Sequence, residues 1–395
     1  WRTHEGLAVW TQRAGQLLDG GLPQLSAEEE MLAWTGIVRA LDFTDEDRRG
    51  TASGDALTVQ LLDRLSRRPG GDSTTMRLMA SESLIERAVS TGRSDFFEQA
   101  VDSVIDDLRD PLVSRWALGM WLVAFGAAAG RYFPYARRGF PYATAEDALR
   151  AAIEIGESQS LRGVEFGALY HLQLQMKLRN DFTEFTRLVG RLGEIADSRY
   201  TTQVAVVADC QAAMHTWQKD FPAAYRDCER FMASIEAADE PLLERWPHYV
   251  TKYQVLLGDG KARAAAALLT EILPRLEGGM HARTVLCIRA AAALAAKWNG
   301  DETYQNHLRA FTDQIRIAQW PAILLNLPGL LAELLADALE YELEVELSFT
   351  AERAPLVLTR NVLVANAPTP SLTTATIRCA AVVPALWARS SLETV

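Results

Sequence analysis

Apolar residues recur at positions i, i+3, i+4 and i+7 along most of the chain before position 340, in segments of about 15 to 20 residues. This spacing places them on one face of an α-helix, and a Gly, Asn, Asp or Pro closes each segment. Alternation typical of strands is confined to residues 342–349 and, more weakly, 355–364. The pattern therefore predicts an all-α protein without a parallel sheet.

Similar polar turns recur between the helices, which indicates that the helices form pairs. Four of these turns carry Asp181, Asp220, Asp259 and Asp301, at intervals of 39, 39 and 42 residues. An aspartate at the start of a helix accepts hydrogen bonds from its first N–H groups. Each of these residues is therefore expected to cap the second helix of its pair. An earlier copy of the turn carries Asp95, about two repeats before Asp181.

The period predicts six helix pairs and a closing helix. The pairs are expected at residues 75–109, 111–158, 162–197, 200–238, 241–278 and 280–318, with the closing helix at about 321–340. Each pair buries its apolar face only against its neighbours, as in an α-solenoid. A period of about 40 residues fits tetratricopeptide-like or HEAT-type repeats. The turns, in which an aspartate precedes an aromatic residue and alanines, favour a tetratricopeptide-like superhelix.

The two ends of the chain differ from this array. Residues 1–74 are predicted to continue the solenoid as three further helices, one of which begins at a capping box formed by Ser26 and Glu29. Residues 75–347 would form the repeats with their capping helix. Residues 348–395 are rich in Thr, Ala, Val and Pro and poor in charge, which predicts an irregular or weakly ordered tail.

Composition narrows the classes of function. The chain has 395 residues, of which 49% are hydrophobic, and a net charge of −11. This charge argues against a general affinity for nucleic acid or anionic membranes, because both depend on clustered Lys and Arg. The longest uncharged apolar run, 116–130, is too short to span a bilayer and predicts a buried helix. The chain opens at Trp1 rather than Met, which suggests a fragment of a longer product.

The sequence contains no recognisable catalytic or metal-binding motif. Gly258-Asp259-Gly260-Lys261 is not a P-loop, because the first glycine is missing and Ala262 follows the lysine. The six histidines are scattered and are expected to be partly buried or helix-face side chains. The cysteines lack a metal-ligand spacing, and no signal segment is visible, so buried thiols in a cytoplasmic protein are predicted for Cys210, Cys228, Cys287 and Cys379. We therefore expect a non-enzymatic protein without a cofactor or metal.

The first helices of stacked pairs are predicted to line a concave groove. Counting back from each turn aspartate points nine side chains at this groove: Tyr170, Lys177, Asp209, Trp217, Arg245, His248, Lys252, Lys297 and Trp298. The basic residues at 245, 252 and 297 could pair with carboxylates or phosphates, and the two tryptophans could provide flat apolar platforms. The alternative is that the lysines are ordinary solvated residues and the tryptophans pack under the next turn.

An insertion at residues 131–143 is a second candidate, because Phe-Pro-Tyr-Ala occurs in it twice around two arginines. Its candidate binding residues are Tyr135, Arg137, Arg138 and Tyr142. Aromatic rings interleaved with arginine can stack on and pair with a partner or a single-stranded nucleic acid. The alternative is that the loop folds its rings back onto the edge of the solenoid.

The segment that begins at Trp320-Pro321 and continues through Leu330-Leu331-Ala332-Glu333-Leu334-Leu335 to Glu346 resembles the end of the helical sensor region of MalT-like, ATP-dependent bacterial transcriptional regulators. The preceding Gly-Asp turns are similar too, and the resemblance covers roughly residues 8–347. It implies a superhelix that binds an inducer or a regulatory protein, downstream of a P-loop NTPase module and coupled to a DNA-binding domain. Neither module is visible in this sequence, and the family's arginine-rich stretch after the final helix is missing.

The resemblance implies a non-enzymatic sensor or protein-interaction region of a bacterial transcriptional regulator. Its groove would capture a protein or peptide partner, or a small-molecule inducer, and capture would change superhelix curvature or self-association. We expect no direct nucleic-acid binding by this segment and no membrane contact. The alternative function is a stand-alone scaffold that binds peptide segments of other proteins.

Overall fold

A computed structural model describes residues 13–16, 25–41, 52–67, 73–133, 135, 137, 139–179, 181–237, 242–276, 282–318, 334, 337–338, 346–349 and 373–376. In this part of the chain the structure is almost entirely helical. The helices are α1 (Ala27–Leu41), α2 (Ala52–Arg67), α3 (Thr74–Thr91), α4 (Ser94–Asp102), α5 (Arg115–Arg131), α6 (Ala145–Ser158), α7 (Arg162–Leu178), α8 (Phe182–Ile195), α9 (Thr201–Trp217), α10 (Phe221–Ala237), α11 (Leu242–Gly258), α12 (Ala262–Leu276), α13 (Ala282–Asn299) and α14 (Tyr304–Ala318).

Two short strands, β1 (Glu346–Phe349) and β2 (Thr373–Thr376), pair antiparallel near the end of the chain. Strand β1 lies in the segment for which alternation predicted a strand, whereas residues 355–364 lie outside the described residues. Strand β2 lies within the segment expected to be an irregular tail. The described residues of the expected closing helix, at 334 and 337–338, are helical.

The helix bounds agree with the six expected pairs, which run from α3–α4 to α13–α14. Helices pack mainly against their neighbours in the sequence: α5 contacts α6, α7 contacts α8, α9 contacts α10 and α13 contacts α14. First helices also contact the next first helix, as α3 does with α5 and α5 with α7. This packing in neighbouring pairs is consistent with a helical repeat, and the prediction of a helical fold is confirmed.

The turn aspartates fix the entry of the second helices. Asp181, Asp220 and Asp301 each accept a hydrogen bond from a backbone N–H two or three residues on, at 3.1, 3.1 and 2.8 Å. Such bonds satisfy N–H groups that have no partner within the helix. Asp259 instead forms an ion pair of 2.7 Å with Lys261. The repeated aspartate therefore caps the second helix at Asp181 and Asp220. The bond of Asp301 lies in the turn before α14, which begins at Tyr304.

The predicted capping box at the start of α1 is complete. The backbone N–H of Glu29 donates to Ser26 Oγ at 3.3 Å, and the backbone N–H of Ser26 donates to Glu29 Oε2 at 2.8 Å. Glu184 follows Asp181 at the same three-residue spacing, but it does not complete a second capping box. Its carboxylate instead accepts from Arg187 Nε at 2.7 Å. Sequence spacing thus predicted the hydrogen bond that Asp181 accepts. It did not predict the ion pair between Glu184 and Arg187, which occupies the carboxylate that would complete the box.

The chain divides into two compact units, residues 1–255 with 278–281 and residues 256–277 with 282–395. In the first unit, most of α5 is buried as expected for its apolar run, with Trp121 and Phe125 stacked at 5.3 Å. Trp116, at the start of that run, is 42% exposed. In the second unit, Leu294 and Phe311 are fully buried. No described helix is long and apolar enough to cross a membrane.

Glycines let helices α5, α6 and α7 approach one another closely. A Cβ atom on Gly126 would lie 2.5 Å from Leu149 Cγ, and one on Gly156 would lie 2.8 Å from the backbone nitrogen of Glu165. Both distances are shorter than real Cβ contacts. The close approach places the end of α5 beside α7, where the candidate site begins.

Candidate functional site

The first helices of three consecutive pairs, α7, α9 and α11, share a polar face in the first unit. Lys177 Nζ donates a hydrogen bond of 3.3 Å to Oε1 of Gln254, which joins α7 to α11. Tyr170 and Asp209 also lie in this region and, like Lys177, are partly exposed. Lys252 is two residues before Gln254 and therefore lies on the other side of α11. Three of the nine predicted groove residues are therefore on described parts of one face.

The register along α7 explains why its polar side chains coincide. Tyr170, Gln173 and Lys177 follow one another at i, i+3 and i+7, which places them on one side of the helix. Gln173 is only 1% exposed, and its Nε2 makes no hydrogen bond to any described residue. It therefore lies beneath the face and is not open to a ligand.

Burial shapes the electrostatics around Lys177. Burial lowers the pKa of the Lys177 ammonium group, and the nearby carboxylate of Asp209 opposes that change. Burial also raises the pKa of Cys210, and the charge of Asp209 raises it further. The centre of the face thus holds one cation and one anion close together in a partly desolvated environment.

Arg131 and His171 form the other end of the face, and sequence reasoning missed both. Nη2 of Arg131, the last residue of α5, lies 3.1 Å from Nδ1 of His171. Since a guanidinium can only donate, Nδ1 accepts and His171 is neutral with its proton on Nε2. Burial lowers the pKa of His171 well below its usual value, and the charge of Arg131 lowers it further.

Tyr170 adjoins this pair, because its ring lies edge-on to that of His171 with 5.0 Å between centroids. Burial raises the pKa of the Tyr170 phenol, so its hydroxyl remains a hydrogen-bond donor at neutral pH. The only sequence signal for this cluster was an arginine that ends an otherwise apolar helix. That signal does not identify a partner 40 residues later.

Trp217 was predicted to be an open platform, but one face of its ring is covered. The ring stacks on Phe182 with 4.4 Å between centroids and an interplanar angle of 12°. The side chain nevertheless remains 46% exposed. It therefore packs at the turn between pairs, as in the alternative derived from the sequence, and still presents an aromatic edge to solvent.

The remaining predicted groove residues lie elsewhere. Arg245 and His248 are in α11, but their side chains are outside the described part of the structure. Lys297 belongs to the second unit, where its ammonium group pairs with Asp337 at 2.6 Å. Trp298 follows it there and is partly buried. Of the three basic residues expected to form one cationic stretch, only Lys252 has a described side chain in the first unit, and it lies on the side of α11 away from Gln254.

The aromatic loop is folded against the helices. Tyr135 packs edge-on against Phe125 at 5.8 Å, and its hydroxyl donates to Asp102 Oδ1 at 2.5 Å. Arg137 also pairs with Asp102. The binding chemistry expected of these two loop residues is thus used within the chain.

The second half of the loop shows the same inward packing. Phe140 lies 4.9 Å from Phe125, and Tyr142 packs edge-on against Phe140 at 5.9 Å. Burial raises the pKa of Tyr142. Arg138 lies outside the described residues. The described part of the loop therefore follows the second alternative, in which its rings fold back onto the helices.

Metal ligands and thiols are the remaining candidates for chemistry among the described residues. No group of three His, Cys, Asp or Glu side chains among them could hold a metal ion. Cys210 and Cys228 are free and buried, as predicted, and burial raises the pKa of Cys228 to about 12. The side chains of Cys287 and Cys379 lie outside the described part of the structure.

Comparisons with protein-family models, with curated proteins and with solved structures find no match to this chain.

Proposed function

We propose that the first unit belongs to a tetratricopeptide-like superhelix and that its polar face is the recognition surface of a non-enzymatic sensor or protein-interaction region. The hydrogen bond between Lys177 and Gln254 is the main support, because it brings α7 and α11, from pairs on either side of α9, to one face. Tyr170 and Asp209 supply further polar groups there. A protein segment, a peptide or a small inducer could contact all three helices at once.

The same bond suggests how capture would be transmitted. A ligand carboxylate that pairs with Lys177 would compete with Gln254 and loosen the link between α7 and α11. A ligand shifts a conformational equilibrium only through such a difference in contacts between states. Capture would then change the stacking of the pairs or the self-association of the chain. The resemblance to MalT-like regulators favours a cytoplasmic sensor region of a bacterial transcriptional regulator.

The proposal can be tested with a panel of acidic peptides and small carboxylates, scored first by thermal shift and then by isothermal titration. We expect a ligand whose dissociation constant rises at least tenfold with Lys177→Gln. Lys261→Gln is the matched control, because that lysine lies in the second unit and pairs with Asp259. Equal binding by both variants would show that the face is not the recognition surface, and turnover of the ligand would identify an enzyme.

A stand-alone scaffold for peptide segments is the second candidate. Tyr200 and Trp217, at opposite ends of α9, are 56% and 46% exposed, and such aromatic residues often anchor protein partners. Sedimentation velocity separates the two functions: a sensor region should change its oligomeric state or shape on binding, whereas a scaffold should only gain the mass of the peptide.

A further inference from the structure

We propose that Arg131, together with the hydroxyl of Tyr170, forms an anion subsite that binds a carboxylate or phosphate group of the ligand. The inference rests on the proposed function and names the chemical group recognised at one end of the polar face. Neither residue has an acidic partner in hydrogen-bond contact within the described part of the chain.

The guanidinium of Arg131 is held in place but is not neutralised. Its Nη2 bonds to neutral His171, and its Cζ lies 5.1 Å from the centroid of the Tyr132 ring. Its Nε is buried and makes no hydrogen bond to any residue that the structure describes. Since a guanidinium has five N–H donors and no acceptor, most of its donor capacity is unused by the described residues.

Other arginines of this unit show what is missing at Arg131. Arg191 lies within 3.6 Å of three carboxylates, and Arg150 bonds to both Glu146 and Glu184. A partly buried guanidinium that lacks such a carboxylate is suited to accept one from a ligand, because paired N–H groups match a planar carboxylate or a phosphate.

Tyr170 adds a hydrogen-bond donor between Arg131 and the rest of the polar face. Its ring packs edge-on to His171, which itself bonds to Arg131, so the three side chains are contiguous. The Tyr170 hydroxyl makes no hydrogen bond to any described residue. A hydroxyl and a guanidinium with free donors can bind two oxygens of one anion.

Spacing along α7 adds a constraint on ligand length. Tyr170 and Lys177 are seven residues apart, which corresponds to a rise of about 10 Å. A ligand that contacts both would carry its anionic group about 10 Å from a second polar group. An extended peptide covers that length in about three residues. A peptide with a free C-terminal carboxylate and a polar side chain about three residues before it therefore fits this geometry.

The experiment uses the full chain and two simple probes. Isothermal titration would measure binding of inorganic phosphate and of the acetylated tripeptide Ac-Gly-Gly-Gly with a free carboxylate, with the amidated tripeptide as its uncharged control. We expect at least one of the two anions to bind saturably and the amide not to bind. Which anion binds distinguishes a phosphate ligand from a peptide carboxylate.

Two variants assign the binding to this subsite. Arg131→Gln should weaken binding at least tenfold, whereas Arg199→Gln should leave it unchanged, because Arg199 is an exposed residue paired with Asp197. If Arg131→Gln unfolds, as judged by circular dichroism, Tyr170→Phe provides a second test with an expected loss of several-fold. No saturable binding of either anion, or equal binding by the wild type and the subsite variants, would overturn the proposal.

Failure of the subsite is distinguishable from failure of the proposed function. A panel ligand whose binding depends on Lys177 but not on Arg131 would contradict the subsite and support the recognition face. Conversely, anion binding that depends on Arg131, with no panel ligand that depends on Lys177, would support the subsite and contradict the larger face.

Discussion

Lys219 and Gly300 share a left-handed backbone conformation, with φ angles of 60° and 66°, and each directly precedes the aspartate of its turn. Glycine adopts this conformation readily, whereas a Cβ atom makes it costly by about 1–2 kcal/mol. The two turns therefore have the same geometry, but the turn at Lys219 is strained.

The strain predicts that Lys219→Gly stabilises the protein. Glycine loses more entropy on folding, by about 0.5–1 kcal/mol, so the net increase in the free energy of unfolding should be about 0.5–1 kcal/mol. Urea denaturation followed by circular dichroism measures it. Gly300→Ala is the reverse change at the equivalent position and should destabilise by a similar amount. A loss of stability in Lys219→Gly would show that the lysine makes a compensating contact.

Such turns show why the fold was predictable from the sequence. Helix periodicity and capping are local, so Asp181 and Asp220 already specified where helices begin. The register along a helix is local too, and it places Tyr170 and Lys177 on one side of α7.

The end of the polar face was not predictable in the same way. Arg131 and His171 meet because α5 packs on α7, and this close approach depends on glycines whose contacts are not visible in the sequence. Likewise, nothing local indicates that Trp217 stacks on Phe182 from the preceding pair. Competition between neighbouring side chains also explains the incomplete capping box at Asp181.

The buried histidine predicts a dependence of stability on pH. Burial, and secondarily Arg131, keep the pKa of His171 well below 6.5 in the folded state, whereas in the unfolded chain it is about 6.5. Below pH 6.5 the unfolded state binds a proton that the folded state does not. The free energy of unfolding should therefore fall as the pH decreases, by up to about 1.4 kcal/mol per pH unit from this group.

Urea midpoints at pH 7.5, 6.5 and 5.5 measure this dependence. His171→Gln keeps a side chain that can accept from Arg131 but does not titrate, so it should flatten the curve over this range. His307→Gln retains His171 and should keep the slope of the wild type. A slope that survives in His171→Gln would assign the effect to other groups.

Two glycine positions predict opposite effects of the same substitution. A Cβ atom on Gly156 would lie within 2.9 Å of backbone atoms of Glu165, which cannot move without separating α6 from α7. We expect Gly156→Ala to destabilise by about 1–3 kcal/mol. A Cβ atom on Gly190, in the middle of α8, meets nothing within 4 Å. Gly190→Ala should therefore stabilise by up to about 1 kcal/mol.

Urea denaturation of both variants tests the packing of α6 on α7. Gly190→Ala controls for the general effect of alanine on helix propensity. The difference in stability between the two variants therefore isolates the steric contact of position 156 with Glu165. Stabilisation by both substitutions would mean that α6 and α7 are farther apart than the structure shows.

The buried thiols predict slow chemical modification of the folded protein. Cys210 and Cys228 are 4% and 2% exposed, and burial raises the pKa of Cys228 to about 12. Alkylation requires the thiolate, so both burial and the raised pKa slow it. With iodoacetamide at pH 8, labelling of these two residues should be at least about 100-fold slower in buffer than in urea, because it must await local opening.

Mass spectrometry of the peptides assigns each site, and an introduced Ser158→Cys, at an exposed position, should be labelled at the unfolded rate in both conditions. If Cys228 were labelled as fast as that control, the packing of α9 on α10 around it would be wrong, and with it the placement of Asp209 on the polar face.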